Sequence, residues 1–246
     1  MTMAKSARSS PWQRMLGIEP SPVSHRERLL SALGGFLGLL AVYFVSSTVS
    51  GASPAPLLLF PIGASAMLVF AVPHGALSQP WPVLGGHLVA ALIGVASARL
   101  VPNAALAAAT AVGLSIIAMH YLRCIHPPGG ATALVAVLGG AQVQALGFGF
   151  VLAPVLLNVV TLLAVAVAFN AGFPWRRYPA ALARRPLRPA AETIAHEDFV
   201  YALTQMDTII DISEEDLLRI YDLAIGCHRE AAQQAAARPV NPVAPP

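Results

Sequence analysis

The chain has 246 residues, of which 56% are hydrophobic and 11% charged, with a mean hydropathy of +0.65. A soluble domain usually carries charge on roughly a quarter of its residues, so a water-soluble globule is excluded. Residues 29–169 contain no Asp, Glu or Lys and two Arg, Arg99 and Arg123, so the charge is confined to two polar ends flanking one membrane domain.

Residues 1–28 hold Pro11, Pro20 and Pro22 together with Lys5, Arg8, Arg14, Arg26 and Arg28. A basic stretch before a long apolar run reads as a cytoplasmic tail and signal anchor. A membrane span needs about 20 apolar residues. Four segments supply them: 29–49, 83–101, 104–122 and 145–169. Two further apolar segments are shorter and broken. Segment 57–72 is interrupted by Pro61 and Gly63, and segment 128–140 is opened by Pro127, Pro128, Gly129 and Gly130.

The short segments resemble each other. Pro61-Ile62-Gly63-Ala64-Ser65-Ala66 aligns with Pro128-Gly129-Gly130-Ala131-Thr132-Ala133. This predicts two halves, 29–102 and 103–170, each built as span, broken segment, span. The predicted fold is an all-α polytopic membrane bundle over residues 29–172, with four full spans and two short broken or re-entrant helices.

Arg176, Arg177, Arg184, Arg185 and Arg188 follow the last span. Basic residues at both ends put both termini in the cytoplasm, which requires an even number of crossings. Four crossings make the halves parallel; six make them inverted. Residues 173–236 read as a cytoplasmic helical tail. Ser213 before Glu214, Glu215 and Asp216 marks a helix start, and Leu217, Ile220, Tyr221, Ala224 and Ile225 follow as an apolar stripe. A weaker helix is predicted over 194–206, and the Pro-rich residues 237–246 are predicted to be disordered. Cys124 and Cys227 lie in different zones, so no disulfide is expected.

Backbone breaks at membrane depth are costly unless buried in protein or lining a watery cavity. Pro with a neighbouring Gly lets a helix start abruptly, and its free N–H groups attract anions. Paired broken helices point to a transporter's substrate site. Candidate binding groups are therefore Pro61, Gly63, Ala64 and Ser65 in one segment and Pro127, Pro128, Gly129, Gly130, Ala131 and Thr132 in the other. His126, Arg123, His87 and Asn158 complete the set, Asn158 requiring a hydrogen-bond partner deep in the last span. The membrane domain holds four His and no acid, which suits an anion better than a cation. Hydrolase elbows, phosphate loops, carboxylate pairs and metal-ligand clusters are missing, so neither an enzyme nor a metal or other cofactor is predicted. Ser65 or Thr132 with His126 is the one pairing an intramembrane hydrolase could use, and the spacing does not favour it.

The run His126-Pro127-Pro128-Gly129-Gly130-Ala131-Thr132-Ala133 resembles the signature of the HPP family of integral membrane proteins. Phe60-Pro61-Ile62-Gly63-Ala64-Ser65-Ala66, Gly85-Gly86-His87, and Leu146-Gly147-Phe148 with Pro154 and Asn158 resemble it too. The resemblance implies four spans and, by analogy with plant and cyanobacterial relatives, nitrite transport. The expected protein is an inner-membrane transporter or channel for a small inorganic anion, with nitrite as cargo. It would be a homo-oligomer in the lipid bilayer, with no nucleic-acid partner. The alternative is a structural or regulatory membrane protein that works through its C-terminal helices.

Overall fold

The computed structural model describes residues 12, 15, 16, 24–50 and 55–182, without the side chains of 49, 50 and 55–58. The helices expected at 194–206 and after Ser213, and the Pro-rich end, lie outside the described residues.

The described chain is helical: α1 (His25–Ser50), α2 (Ala55–Ala71), α3 (Pro80–Leu100), α4 (Ala104–Tyr121), α5 (Pro128–Leu138), α6 (Gly140–Leu146) and, after a π-helical turn at Val151–Leu156, α7 (Leu157–Ala171). Four stretches are long and apolar enough to cross a membrane: His25–Thr48, Pro80–Leu100, Ala104–Tyr121 and Val151–Ala171. They coincide with the four spans expected from the sequence, except that the last begins at Val151 and not at residue 145. The cause is local. Helices α5 and α6 form a pair bent by 100°. Gly140 (φ +81°), the first residue of α6, and Gly147 (φ +53°), just past its end, take positive φ, conformations that glycine adopts without a Cβ clash. Large apolar side chains such as Phe36, Phe44, Phe60 and Met67 stay exposed on the bundle, as a lipid-facing surface requires.

Three contacts fix the helix directions. Arg176, just past α7, binds Glu27 at the start of α1 and the carbonyl of Phe70 at the end of α2 (2.6 Å). Trp81 at the start of α3 donates to the carbonyl of Leu122 at the end of α4 (3.0 Å). At the other end of α3, the Arg99 guanidinium lies 5.1 Å above the Phe148 ring, just before the last span. Helix α5 lies along α3 in the same sense, Gly86 facing His126 and Gly94 facing Ala133 and Ala136. So α2 and α5, which carry the related motifs, run in opposite directions. The two halves are inverted, as in the six-crossing alternative.

The two motifs are not alike in backbone. Helix α5 does begin at its Pro pair, with Pro128 in its first turn. Its start lies beside Gly86, within the bundle. Helix α2 runs unbroken from Ala55 through Pro61. Proline's φ is already helical, so the ring removes one N–H donor without forcing a stop. Gly63 and Ala64 are therefore mid-helix and offer no helix-start amides, contrary to the expectation.

Small residues let the helices approach closely. A Cβ on Gly34 or Gly38 of α1 would come within 2.4 or 2.7 Å of the Phe70 ring.

Candidate functional site

A polar cluster inside the bundle joins four side chains, each no more than 1% exposed: Ser65 of α2, His87 of α3, His126 before α5 and Thr132 of α5. Ser65 Oγ lies 2.8 Å from His87 Nε2 and 2.8 Å from His126 Nε2. His87 Nδ1 lies 2.7 Å from Thr132 Oγ1. His126 Nδ1 lies 2.9 Å from the carbonyl of Leu77, and Ser65 Oγ lies 3.1 Å from the carbonyl of Pro61. The imidazole centroids are 5.1 Å apart, edge to face.

The sequence explains how four polar side chains come together in apolar surroundings. Gly85 and Gly86 leave α3 without side chains where the loop before α5 crosses it. A Cβ on Gly85 would come within 2.9 Å of Cys124 Cβ, and one on Gly86 within 2.6 Å of His126 Cβ. A Cβ on Gly129 would come within 2.8 Å of the Gly86 carbonyl. These glycines set the contact distance, and the next residue, His87, then enters the α2–α5 interface.

Helix α4 delivers the loop through its ending. Arg123 N–H binds the His120 carbonyl (3.1 Å) and Cys124 N–H the Met119 carbonyl (2.9 Å). That pairing closes a helix with one left-handed residue, here Arg123 at φ 54°. The turn sends Cys124 inward, and His126 follows.

With both imidazoles neutral, one assignment of protons places a donor in every contact of the cluster. The Leu77 carbonyl only accepts, so His126 must carry its proton on Nδ1 and, when neutral, accept at Nε2. Ser65 then donates to His126 Nε2. His87 Nε2–H donates to Ser65 Oγ, and Thr132 donates to His87 Nδ1. In this order each side chain gives one hydrogen bond, His87, Ser65 and His126 also take one, and the reverse order is blocked at Leu77.

The structure thus brings together Ser65, His87, His126 and Thr132 from the predicted set. The amides fare differently. Gly129 N–H binds the His126 carbonyl (2.8 Å) and Gly130 N–H the Pro127 carbonyl (2.9 Å), so neither is free at the start of α5. Pro61 and Pro128 are buried beside the cluster, while Ala64, Pro127 and Arg123 are exposed. Ala131 is half-buried. Asn158 is buried in α7, and its Oδ1 has no hydrogen-bond partner, where a partner was expected. His126 and Pro127 also border a cavity of about 280 Å³, with Ser115, Met119 and His120 of α4 on its other side. No group of His, Cys, Asp and Glu among the described residues could hold a metal ion.

Sequence reasoning missed Arg176. It read as one of several basic residues following the last span, yet it is 1% exposed. It binds Glu27, Ser31 (3.2 Å), Asn170 (3.1 Å) and Phe70. The one signal was Glu27, the acid closest before residue 29.

The profile of the HPP transmembrane region matches residues 20–179, which includes every helix described above. The chain belongs to the HPP transmembrane family. Two Dictyostelium discoideum proteins, both described as transmembrane proteins, are similar to it. One is 36% identical over 174 residues, covering 68% of this chain and 56% of the relative. The other is 34% identical over 151 residues, covering 60% and 53%. The chain thus spans about half the length of these curated relatives. No solved structure matches.

Proposed function

We propose that this HPP-family membrane protein is a transporter or channel for a small inorganic anion, nitrite being the candidate cargo, with the Ser65–His87–His126–Thr132 cluster as the substrate site. One observation carries the reading. Two inverted halves place their matching hydroxyls, Ser65 and Thr132, on the two nitrogens of one buried imidazole. Polar side chains at membrane depth are expensive and mark substrate paths. Inverted repeats place such sites at their interface. The domain supplies hydroxyl and imidazole donors and, between 29 and 169, no carboxylate, which favours an anion over a cation. Asn158, with an unpartnered buried oxygen, and Arg123, near the loop, are the secondary groups of the path. A homo-oligomer in the inner membrane with both termini cytoplasmic completes the proposal.

The test is uptake of labelled nitrite into proteoliposomes. Wild type should exceed empty vesicles, and Thr132→Val and His126→Ala should reduce uptake. Uptake equal to empty vesicles would end the nitrite reading.

The Ser–His contact a hydrolase would use is present, but Ser65 is wholly buried between two imidazoles. A fluorophosphonate probe should not label Ser65; labelling would favour an enzyme.

A further inference from the structure

The polar cluster is more than a set of satisfied groups, because with neutral imidazoles one proton order runs through all four side chains, the Pro61 carbonyl standing as a second acceptor for Ser65. In the proton order that the Leu77 carbonyl imposes, Thr132 donates to His87, His87 to Ser65 and Ser65 to His126, whose own proton rests against that carbonyl; the contacts are 2.7 to 2.9 Å long. We propose that these four side chains form a directed proton relay, through which the protein moves its anion together with one proton. The role in transport rests on the anion reading given above; the polarity of the relay does not.

The step balances as follows. A hydronium ion reaching Thr132 gives its proton to Oγ1 while the hydroxyl passes its own proton to His87 Nδ1, leaving water and an imidazolium. His87 then gives its Nε2 proton to Ser65 Oγ as Ser65 gives its hydroxyl proton to His126 Nε2. His87 is left neutral with its proton on Nδ1, and His126 becomes the imidazolium. No atom moves further than a hydrogen bond. To reset, His126 breaks its bond to the Leu77 carbonyl and gives its Nδ1 proton to water or to an anion entering the cavity it borders, keeping on Nε2 the proton received from Ser65. The hydroxyls and the imidazole tautomers then turn back. The Pro61 carbonyl, 3.1 Å from Ser65 Oγ, gives the hydroxyl proton a place to point during that turn.

The surroundings explain why proton and anion would travel together. Helices α2, α3 and α5, the turn at Leu77 and the loop before α5 surround the pair. The titratable groups these bring near it are the two imidazoles themselves, Cys124, which packs on Gly85, and Tyr178, whose hydroxyl donates to the Ser78 carbonyl beside Leu77. Across the cavity stands His120 of α4. Arg123 is exposed, and Arg176 with Glu27 sits at the end of α2, bound to Phe70 beyond Ser65. With no carboxylate between residues 29 and 169, an imidazolium here has no fixed counter-ion. A lone charge in such surroundings is expensive, whereas an ion pair costs less. A monovalent anion beside the protonated pair makes the site neutral, so each charge favours the other.

The test uses the full chain in proteoliposomes that report labelled nitrite and internal pH together. Wild type should acidify the lumen as nitrite enters, in constant ratio. Ser65→Ala should lose the proton signal relative to whatever nitrite still enters, and Ser65→Thr should restore the ratio. If Ser65→Ala does not fold, His126→Gln serves. Its amide can still donate to Leu77 and accept from Ser65 but cannot pass a proton, so the ratio should again be lost. Nitrite uptake by wild type without acidification would overturn the relay and leave the transport reading standing. If wild type takes up no nitrite, the transport reading fails, and ¹⁵N imidazole spectra of wild type in nanodiscs decide the relay. A proton on Nδ1 of His126 and on Nε2 of His87 supports it; any other pair of tautomers overturns it.

Discussion

Ser65 and Thr132 occupy the same position in two related motifs, and a single ring joins them: His87 meets one through Nε2 and the other through Nδ1, at 2.8 and 2.7 Å. A resemblance seen in sequence thus becomes a contact in space. It sits where the inverted halves meet, and both ring nitrogens are engaged, so the imidazole cannot turn without breaking a bond.

Removing one hydroxyl should therefore cost stability as well as function. Thr132→Val keeps the shape of the side chain but leaves His87 Nδ1 buried without a donor. An orphaned buried polar group costs about 1–3 kcal/mol. Thermal unfolding in detergent should show a lower midpoint for Thr132→Val, and Thr132→Ser should recover most of it.

The glycines around the cluster divide into two kinds. Gly86→Ala and Gly129→Ala would drive a Cβ against His126 or the Gly86 backbone, while Gly63 and Gly130 have nothing within 4 Å of an added Cβ. Overpacking costs about 1–3 kcal/mol. The first two variants should unfold at lower temperature and show reduced nitrite uptake. Gly63→Ala and Gly130→Ala should fold like wild type. Equal behaviour of all four would mean that His126 is not held by that close approach.

Arg123 carries a side chain where the helix ending favours glycine, at φ 54°. A non-glycine residue in left-handed backbone costs about 1–2 kcal/mol. Arg123→Gly should raise the unfolding midpoint. If the guanidinium concentrates anions near the loop, the same variant should take up nitrite more slowly at low ionic strength, with the difference shrinking in salt.

Glu27 and Arg176 should respond unequally to mutation. Arg176 is 1% exposed and the Glu27 side chain 26%. Glu27→Ala leaves a buried guanidinium without its counter-charge, a loss of about 3–5 kcal/mol. Arg176→Leu leaves a carboxylate that still reaches water, so its loss should be smaller. Comparing both single variants with the double variant in detergent melts checks the order.

Asn158 offers a test of purpose. Its Oδ1 is buried without a partner, and replacing such a group by an apolar one is nearly neutral or stabilising. Asn158→Leu should melt no lower than wild type. With Asn158 in the anion path, nitrite uptake should fall nonetheless. A loss of both together would make it a packing residue.

The sequence by itself determined the class of protein, the four long spans and the pairing of the two motifs. These depend on hydropathy and composition, which a bilayer reads one segment at a time. It also marked His126, Ser65, Thr132 and His87 as polar groups in an apolar domain. What it left open was which of them touch. Pro61 and Pro128 look alike in sequence, yet one lies within a continuous helix and the other starts a new one, because a proline's fixed φ suits either place. Only the tertiary structure decided that the halves are inverted, that Gly86 admits the loop carrying His126, and that Arg176 turns back into the bundle to meet Glu27. Each is a contact between residues far apart in the chain, set by close packing and by the need of buried polar atoms for partners, and neither requirement leaves a local pattern to read.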